Sequence, residues 1–595
     1  LLADRAGEVA TEVDPSDGAA DLTDDPRRTF HVREAHDDAA RERFWKLRKS
    51  GLPILLGRTS DAKHISFIED TAVPPENLPE YVADFRALLE EEGTFASFYA
   101  HAGPGCLHIR PLVDTKSVAG VERMEAIADG ATDLVREYGG SVSGEHGDGR
   151  ARTQWNHKLY GDDVWALFQE LKRTFDPDWL LNPGQVVGVG EAAVEAGTAP
   201  PRARTVDMTE NLRFDPDYEF EYEFDPVLDW PVDNGMQGMV ELCHGCGGCR
   251  GPQETTGSVM CPTYRAADEE VTATRGRANM LRQAMSGDLP EDPTDAEFVS
   301  EVMDLCIGCK GCARDCPSEV DMAKLKAEVE HAHHEAHGAS PRDRLFANVE
   351  TLSKVGSALA PVSNWLASLP GSGYLGEKLL GVARERDLPT FRRESFTDWW
   401  ADREPAHSPD EATRRALLFP DTYNNYSHPD VLRAAVTVLE AAGVHVHVPE
   451  TVTASGRAAH SKGFLDVARE RASTNVDALD RRVADGWDVV VVEPSDAVML
   501  QSDYLDLLGH DHDGATTLSA STFGLCEYLD RFALDADVPW ADPSESLTYH
   551  GHCHQKAVTK DHHAVGVLRR AGYAVDPLDS GCCGMAGSFG YEAEH

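Results

Sequence analysis

The chain of 595 residues sets 102 acidic side chains against 56 basic ones, a formal charge of −46. A surface of that sign repels nucleic acid and anionic lipid, which excludes nucleic acid as a partner. No run approaches the roughly 18 apolar residues of a membrane span, and no signal peptide is visible, so a cytoplasmic location is expected. The length admits three or four domains, each with its own core. The acids are spread through every segment rather than gathered in a tail, the pattern of a halophilic, salt-adapted surface. The chain opens on Leu1-Leu2 with no initiator Met, within what reads as an element, and an upstream part is expected to be missing.

Residues 1–190 read as an α+β domain. Phe95–Ala100 and Leu107–Arg110 have the composition of strands, and Val121–Tyr138 and Asp163–Phe175 the spacing of amphipathic helices. Two constellations stand out here. His101-Ala-Gly-Pro-Gly-Cys-Leu-His108 can fold two imidazoles towards one point across a Gly-rich turn. Ser143-Gly-Glu145-His146-Gly-Asp-Gly149 places a carboxylate and an imidazole on a Gly-bounded loop. Two His and a carboxylate form a common divalent-metal set with an open position, and an adjacent free His can act as general base. The competing reading of each motif alone is a structural glycine turn with solvated imidazoles.

Residues 191–235 form an acidic, proline-containing linker, in which Asp215–Asp225 is expected to lay one strand at most against a neighbour. A mostly helical domain follows over 236–344. It contains Cys243-His-Gly-Cys246-Gly-Gly-Cys249, Cys261-Pro262, and Cys306-Ile-Gly-Cys309-Lys-Gly-Cys312-Ala-Arg-Asp-Cys316-Pro317. The second run is C-x2-C-x2-C-x3-C-P, the bacterial ferredoxin spacing. In two-cluster ferredoxins the fourth cysteine serves the other cluster. Cys243, Cys246, Cys249 and Cys316 are therefore assigned to one [4Fe-4S] cluster, and Cys306, Cys309, Cys312 and Cys261 to a second. Disulfides do not suit a chain with no secretory mark, and zinc prefers separate CxxC pairs. On the exit helix, His331, His333, His334 and His337 read as a solvated face rather than a metal site.

Residues 345–410 form a helical connector with Trp365, Trp399 and Trp400, read as helices packing between domains in preference to a membrane- or partner-docking surface. Residues 411–595 alternate strand and helix, with strands at Ala416–Phe419, Val444–Val448 and Val489–Val492 and helices at Val431–Ala442 and Ala564–Ala571, as in a parallel α/β sheet. Val438-Leu-Glu-Ala-Ala-Gly443 and Val567-Leu-Arg-Arg-Ala-Gly572 echo each other as an internal duplication.

With these motifs in place, the first 190 residues resemble the C-terminal domain of the FAD-linked D-2-hydroxyacid dehydrogenases (D-lactate, glycolate and D-2-hydroxyglutarate enzymes). Residues 243–595 resemble the iron–sulfur protein that partners them, a two-cluster domain followed by a cysteine-rich CCG domain. The order resembles the large fused form. The resemblance implies that His101, His108 and Glu145 bind a divalent metal, usually zinc, that His146 takes the substrate's hydroxyl proton, and that Arg48 and Lys63 pair with its carboxylate. It also implies FAD, whose binding domain is absent from these residues and is expected upstream or on a separate chain. The acceptor expected beyond the clusters is a quinone or carrier, and the location cytoplasmic or peripheral at the inner face of the membrane. The CCG region departs from the pattern: Ala454-Ser455-Gly456 replaces one Cys-Cys-Gly and Asp496 another cysteine, while Cys553, Cys582 and Cys583 remain. Those three with Asp496 form a residual metal or cluster site or a vestigial structural one, and the chain stops at His595, soon after the second motif. Arg110, two residues past His108 and on the same face if the segment is a strand, is expected to reach the substrate and favour a dicarboxylate, or else to pair with a local acid. The alternative function is a non-catalytic electron-transfer module resembling the iron–sulfur subunit of anaerobic glycerol-3-phosphate dehydrogenase or heterodisulfide reductase.

Overall fold

The computed structural model describes residues 35–251, 260–541, 543, 545–578 and 582–595, apart from the side chains of Lys46, Lys49 and Ser50. Leu1-Leu2 and Gly581 lie outside the described residues. The chain divides into two compact units, residues 1–55 and 56–595. In the first, the helix Asp38–Leu56 starts where the Asp37 carboxylate accepts the Ala40 N–H at 2.8 Å. Trp45 and Arg48 lie exposed on it.

The second unit opens with an antiparallel sheet of β1 (Lys63–His64), β2 (Thr71–Ala72), β3 (Ala96–His101) and β4 (Cys106–Val113), in which β4 pairs with the other three. Strand alternation sends Leu107 and Ile109 of β4 into a core with Phe85 and Ile127 from the helices Leu78–Glu91 and Val118–Glu137. Cys106, His108 and Arg110 are left on the opposite face. They are buried as well, so β4 shows no polar–apolar pattern of burial. The helix expected from Asp163 follows a kink at Gly161 (φ 75°, ψ 171°), which separates it from a short helical stretch that starts at Asn156.

The acidic linker forms no strand among the described residues of Asp215–Asp225. Its alternate aromatics Phe220 and Phe224 instead pack on the core of the cysteine-rich domain, and the Tyr222 N–H donates to the Met285 carbonyl at 2.9 Å. The exit helix Met322–His337 corrects a second expectation in part, because three of its four imidazoles pack against neighbours and only His337 is exposed. His331 Nδ1 lies 3.1 Å from the Gly463 carbonyl and His333 Nδ1 lies 2.7 Å from that of Thr294. His334 packs on the Phe464 ring, and burial pushes its pKa down to about 4. The helix is clamped between neighbours, which uses these rings as packing groups.

The last part of the chain is a parallel sheet in the order β6-β5-β7-β8, from β5 (Arg414–Phe419), β6 (Val444–His447), β7 (Asp488–Val491) and β8 (Thr522–Gly524). Both faces are covered: Leu417 and Phe419 enter one core, Ala416 and Leu418 the other. The duplication is visible in three dimensions. β5, the helix Pro429–Ala441 and β6 make one parallel unit, and β9 (Ser546–Tyr549), the helix His562–Arg570 and β10 (Ala574–Pro577) make another.

One buried charge cluster ties the cysteine-rich region to this sheet. Asp503 is fully buried and accepts from Lys310 and, at 2.6 Å, from Arg457. Burial pushes the Asp503 carboxyl up, but the two cations outweigh burial and hold it well below its ordinary value. A depressed acid contributes stability above its unfolded pKa, about 3.9, and loses it as pH falls through the lower folded value. Asp503→Ala strands two buried cations, an effect of about 3–5 kcal/mol. The variant is expected to melt several degrees below wild type at pH 7, by circular dichroism, and the gap to narrow as pH falls below about 4. Equal melting at pH 7 would show that the cluster is not a clamp.

Candidate functional site

The β3–β4 hairpin builds half of the first site. Its turn needs Gly105, which has φ +81° and whose added Cβ would lie 1.9 Å from the Val73 carbonyl oxygen. The register sets His101 opposite Cys106 and Tyr99 opposite His108, so His101, Cys106 and His108 share a face. The His101 and His108 rings meet edge-on at 5.2 Å.

The loop Ser143–Gly149 supplies the other half, and a buried carboxylate seats it. Asp70 accepts the Glu145 N–H at 3.1 Å, the His146 N–H at 2.8 Å and the Ser143 hydroxyl at 2.9 Å. Burial pushes the Asp70 carboxyl up, and these donors together bring it below its ordinary value. Gly144 lets the loop approach β4, because a Cβ there would sit 2.8 Å from Cys106 Sγ. Glu145 Oε1 then lies 3.1 Å from His108 Nε2, 3.5 Å from His101 Nε2 and 3.6 Å from His146 Nε2. His101, Glu145 and His146 are each close to half exposed, so the cluster opens outwards.

Sequence reasoning missed the acids behind this cluster. Glu69 lies 2.9 Å from His146 Nδ1, 3.5 Å from His108 Nδ1 and 3.3 Å from Arg110, with Arg152 at 4.0 Å. Arg110 is thus buried against a local acid. Cys106 also belongs to the cluster, grouped with Asp70, His108 and Glu145 within 4.8 Å, and burial together with Asp70 pushes its thiol up to about 12. Only the adjacency of Glu69 and Asp70 between two apolar stretches hinted at them. Lys63 does not join the site. It pairs in register with Val113, five residues beyond His108 on β4, or roughly 17 Å. Its ammonium donates to the Arg58 carbonyl at 3.0 Å and faces Glu241 at 3.9 Å. Arg48 belongs to the first unit and is described with it.

The remaining donors fit the groups expected of them. His101, His108 and Glu145 are ordinary zinc ligands, and Glu145 Oε1 lies within 3.5 Å of the Nε2 atoms of both imidazoles. In the cysteine-rich region one cavity is lined by Cys243, Cys246, Cys249 and Cys316 together, bringing the distant Cys316 to the first run. Cys312 is in electrostatic reach of Cys306 and Cys261, and Cys309 of Cys312 and Cys306. Burial raises the Cys243, Cys249, Cys309, Cys312 and Cys316 thiols, Cys249 to about 11, so iron binding there must displace protons held by the fold. Cations surround the second set: buried Arg277 reaches Cys261 Sγ at 3.7 Å, and Lys326 donates to the Cys306 carbonyl at 2.6 Å.

In the last sheet domain, Cys553 feels Cys582 and Cys583, and burial lifts its thiol to about 12. Ser455 donates to Asp496, so the two residues standing in cysteine positions bond to each other. This region touches the second cysteine set: His554 Nε2 lies 3.0 Å from the Gly308 carbonyl, and Arg314 donates to the Lys556 carbonyl at 2.8 Å.

Two family profiles match the chain: FAD linked oxidases, C-terminal domain, over residues 12–186, and the 4Fe-4S dicluster domain over residues 239–320. The chain joins an FAD-linked oxidase domain to a 4Fe-4S dicluster domain. It is homologous to D-2-hydroxyglutarate dehydrogenase of Escherichia coli (strain K12), 26% identical over 93% of this chain and 56% of that protein. The chain therefore spans about half the length of the relatives it matches along its whole length. The oxidase part is 33% identical to the GlcD subunit of glycolate oxidase from the same organism, over 28% of this chain and 32% of that protein. One subunit of anaerobic glycerol-3-phosphate dehydrogenase, also from that strain, is 26% identical over 47% of this chain and 70% of its own length. No helix among the described residues is long and apolar enough to cross a membrane.

If Asp70 seats the ligand loop, Asp70→Ala should weaken zinc binding by about 10–100-fold, the usual cost of losing a ligand's support. Competition with a chromophoric chelator measures it. Unchanged affinity would remove Asp70 from the site.

Proposed function

We propose that this chain is the substrate- and electron-handling portion of an FAD-linked dehydrogenase of D-2-hydroxyacids, of the D-2-hydroxyglutarate or D-lactate/glycolate kind. The observation that carries the reading is the convergence of His101, His108 and Glu145 beside a third imidazole, His146, held from behind by Glu69. A divalent metal held by His101, His108 and Glu145, zinc by its donor set, would supply Lewis acidity towards a substrate hydroxyl. FAD, from the upstream part of the protein or a separate chain, would supply the hydride acceptor.

The chain's own residues then do the following. His146 donates its Nδ1–H to Glu69, which leaves Nε2 as the basic nitrogen, on the open side with Glu145 and in place to take the hydroxyl proton. Arg110 and Arg152 hold Glu69, and so act on the base rather than on substrate. This placement makes equal losses on dicarboxylate and monocarboxylate substrates the expected result of Arg110→Asn. A carboxylate-binding role stays with Arg48. Cys243, Cys246, Cys249 and Cys316 would hold one [4Fe-4S] cluster and Cys306, Cys309, Cys312 and Cys261 the other. Electrons would leave for a quinone or carrier, with the protein in the cytoplasm or peripheral at the inner face of the membrane.

The similarity to the glycerol-3-phosphate dehydrogenase subunit favours a second reading, an electron-transfer module whose oxidase domain only docks. Metal analysis separates them: zinc or manganese lost on changing His101 supports the dehydrogenase, and iron and sulfide alone the module.

Two further outcomes are expected. With the flavin-bearing part supplied, His146→Ala should lower kcat by about 10²–10⁴ with little change in substrate affinity; near-normal turnover would rule the residue out as the base. Cys261→Ser should abolish the EPR signal of the cluster held by Cys306, Cys309 and Cys312. Loss of the other signal would overturn the crossed assignment.

A further inference from the structure

The connector between the dicluster domain and the last sheet is turned inside out. On the helix Val349–Ala358, small residues Ser353, Gly356 and Ser357 are buried, while Leu352 and Val355 on the helix and Leu359 just beyond it are 43–58% exposed. The inward face is fixed by close fit: a Cβ on Gly356 would lie 2.5 Å from the Phe391 ring, and Ser357 bonds to the Arg392 carbonyl. The pattern continues. Val362, Trp365 and Leu366 are 52–60% exposed around the helix Val362–Ala367, and Tyr374, Leu375 and Leu379 are 55–75% exposed on Ser372–Leu380. An apolar surface running through three successive helices exceeds the scattered exposure normal for a soluble face.

The charge pattern changes at the same place. Residues 349–380 hold two acids, Glu350 and Glu377, beside Lys354 and Lys378. At the chain's average of 102 acids in 595 residues, a stretch of that length would hold about five. The acidic coat that repels a bilayer elsewhere is therefore thinned where the large apolar groups stand. Lysine stems can lie along an apolar layer with their ammonium groups at the headgroups, and Trp and Tyr favour the same depth.

We propose that residues 349–380 form an interfacial membrane anchor, three short helices lying in the plane of a lipid bilayer with Leu352, Val355, Leu359, Trp365, Leu375 and Leu379 in the acyl boundary. The occupant is the lipid surface itself, which suits an apolar, acid-poor layer several helices wide with aromatic residues and lysines among it. The inference rests on the peripheral location proposed above and not on the dehydrogenase reaction, so it is tested without turnover.

The full chain is mixed with phosphatidylcholine–phosphatidylglycerol vesicles in 2 M KCl, which screens the protein's net charge, and floated through a density gradient. Wild type is expected to rise with the vesicles. The triple variant Leu366→Glu, Leu375→Glu, Leu379→Glu is expected to stay at the bottom, with its iron–sulfur absorbance unchanged and at least tenfold less protein recovered on lipid. Lipids brominated near the carbonyls should quench part of the tryptophan emission in wild type and less in Trp365→Phe. Wild type remaining at the bottom overturns the proposal. So does equal flotation of the triple variant, or an apolar face that is covered instead by a second copy, seen as a dimer by light scattering that the triple variant loses.

Discussion

The contact on which the arrangement depends is the buried ion cluster of Lys310, Asp503 and Arg457. Lys310 stands between Cys309 and Cys312, in a left-handed backbone conformation (φ 61°) that the corresponding loop gives to a glycine, Gly247. A lysine is unfavourable in that conformation unless something holds it. Asp503, reaching from the sheet domain, holds its ammonium. The same contact thus fixes the turn that spaces two thiols and joins two parts of the chain. Around it, His554 on the Gly308 carbonyl and Arg314 on the Lys556 carbonyl add shorter-range ties. The domain that follows packs on the second cysteine set, in which Cys261 and Cys312 are buried and Cys306 and Cys309 half-buried, whereas the first keeps Cys246 exposed.

The oxidase site shows the same logic with acids in place of cations. Neither Asp70 nor Glu69 stands on the open side of the site. Asp70 uses its oxygens on backbone N–H groups and so positions Glu145 and His146 by their main chain. Glu69 uses its oxygens on side chains and so sets the ring of His146. Two adjacent carboxylates on one short stretch divide the work of placing the loop and orienting the ring. Their proximity costs electrostatic energy, which Arg110 and Arg152 offset at Glu69 and the amides offset at Asp70.

Much of this was legible in the sequence where chemistry demands fixed spacing. The cysteine runs, the two imidazoles His101 and His108 and the Glu145-His146 pair declare themselves because each must meet others within a few ångströms. The strand–helix alternation after residue 411 was legible from its apolar period. What escaped was support from a distance. Glu69 and Asp70 lie well ahead of the site in the chain and carry no spacing signature. Lys63 was misplaced because β1 pairs at the far end of β4, a register that local composition does not encode. The His-rich exit helix reads as polar, yet Gly463 and Thr294 come from elsewhere in the chain to meet it.

The altered cysteine positions of the last domain can be placed in the same terms. The two residues expected in cysteine positions, Ser455 and Asp496, bond to one another. Burial and the neighbouring Asp421 and Glu493 push the Asp496 carboxyl up, towards its neutral form. A neutral acid hydrogen-bonded to a hydroxyl is a stable way to fill a buried polar site, because each group satisfies the other without a counter-ion. A soft metal gains little from such a pair, since its preferred ligands are thiolates. The Ser455–Asp496 pair thus acts as a structural plug, while Cys553 lies in electrostatic reach of Cys309. The domain thus packs as a wall against the second cysteine set.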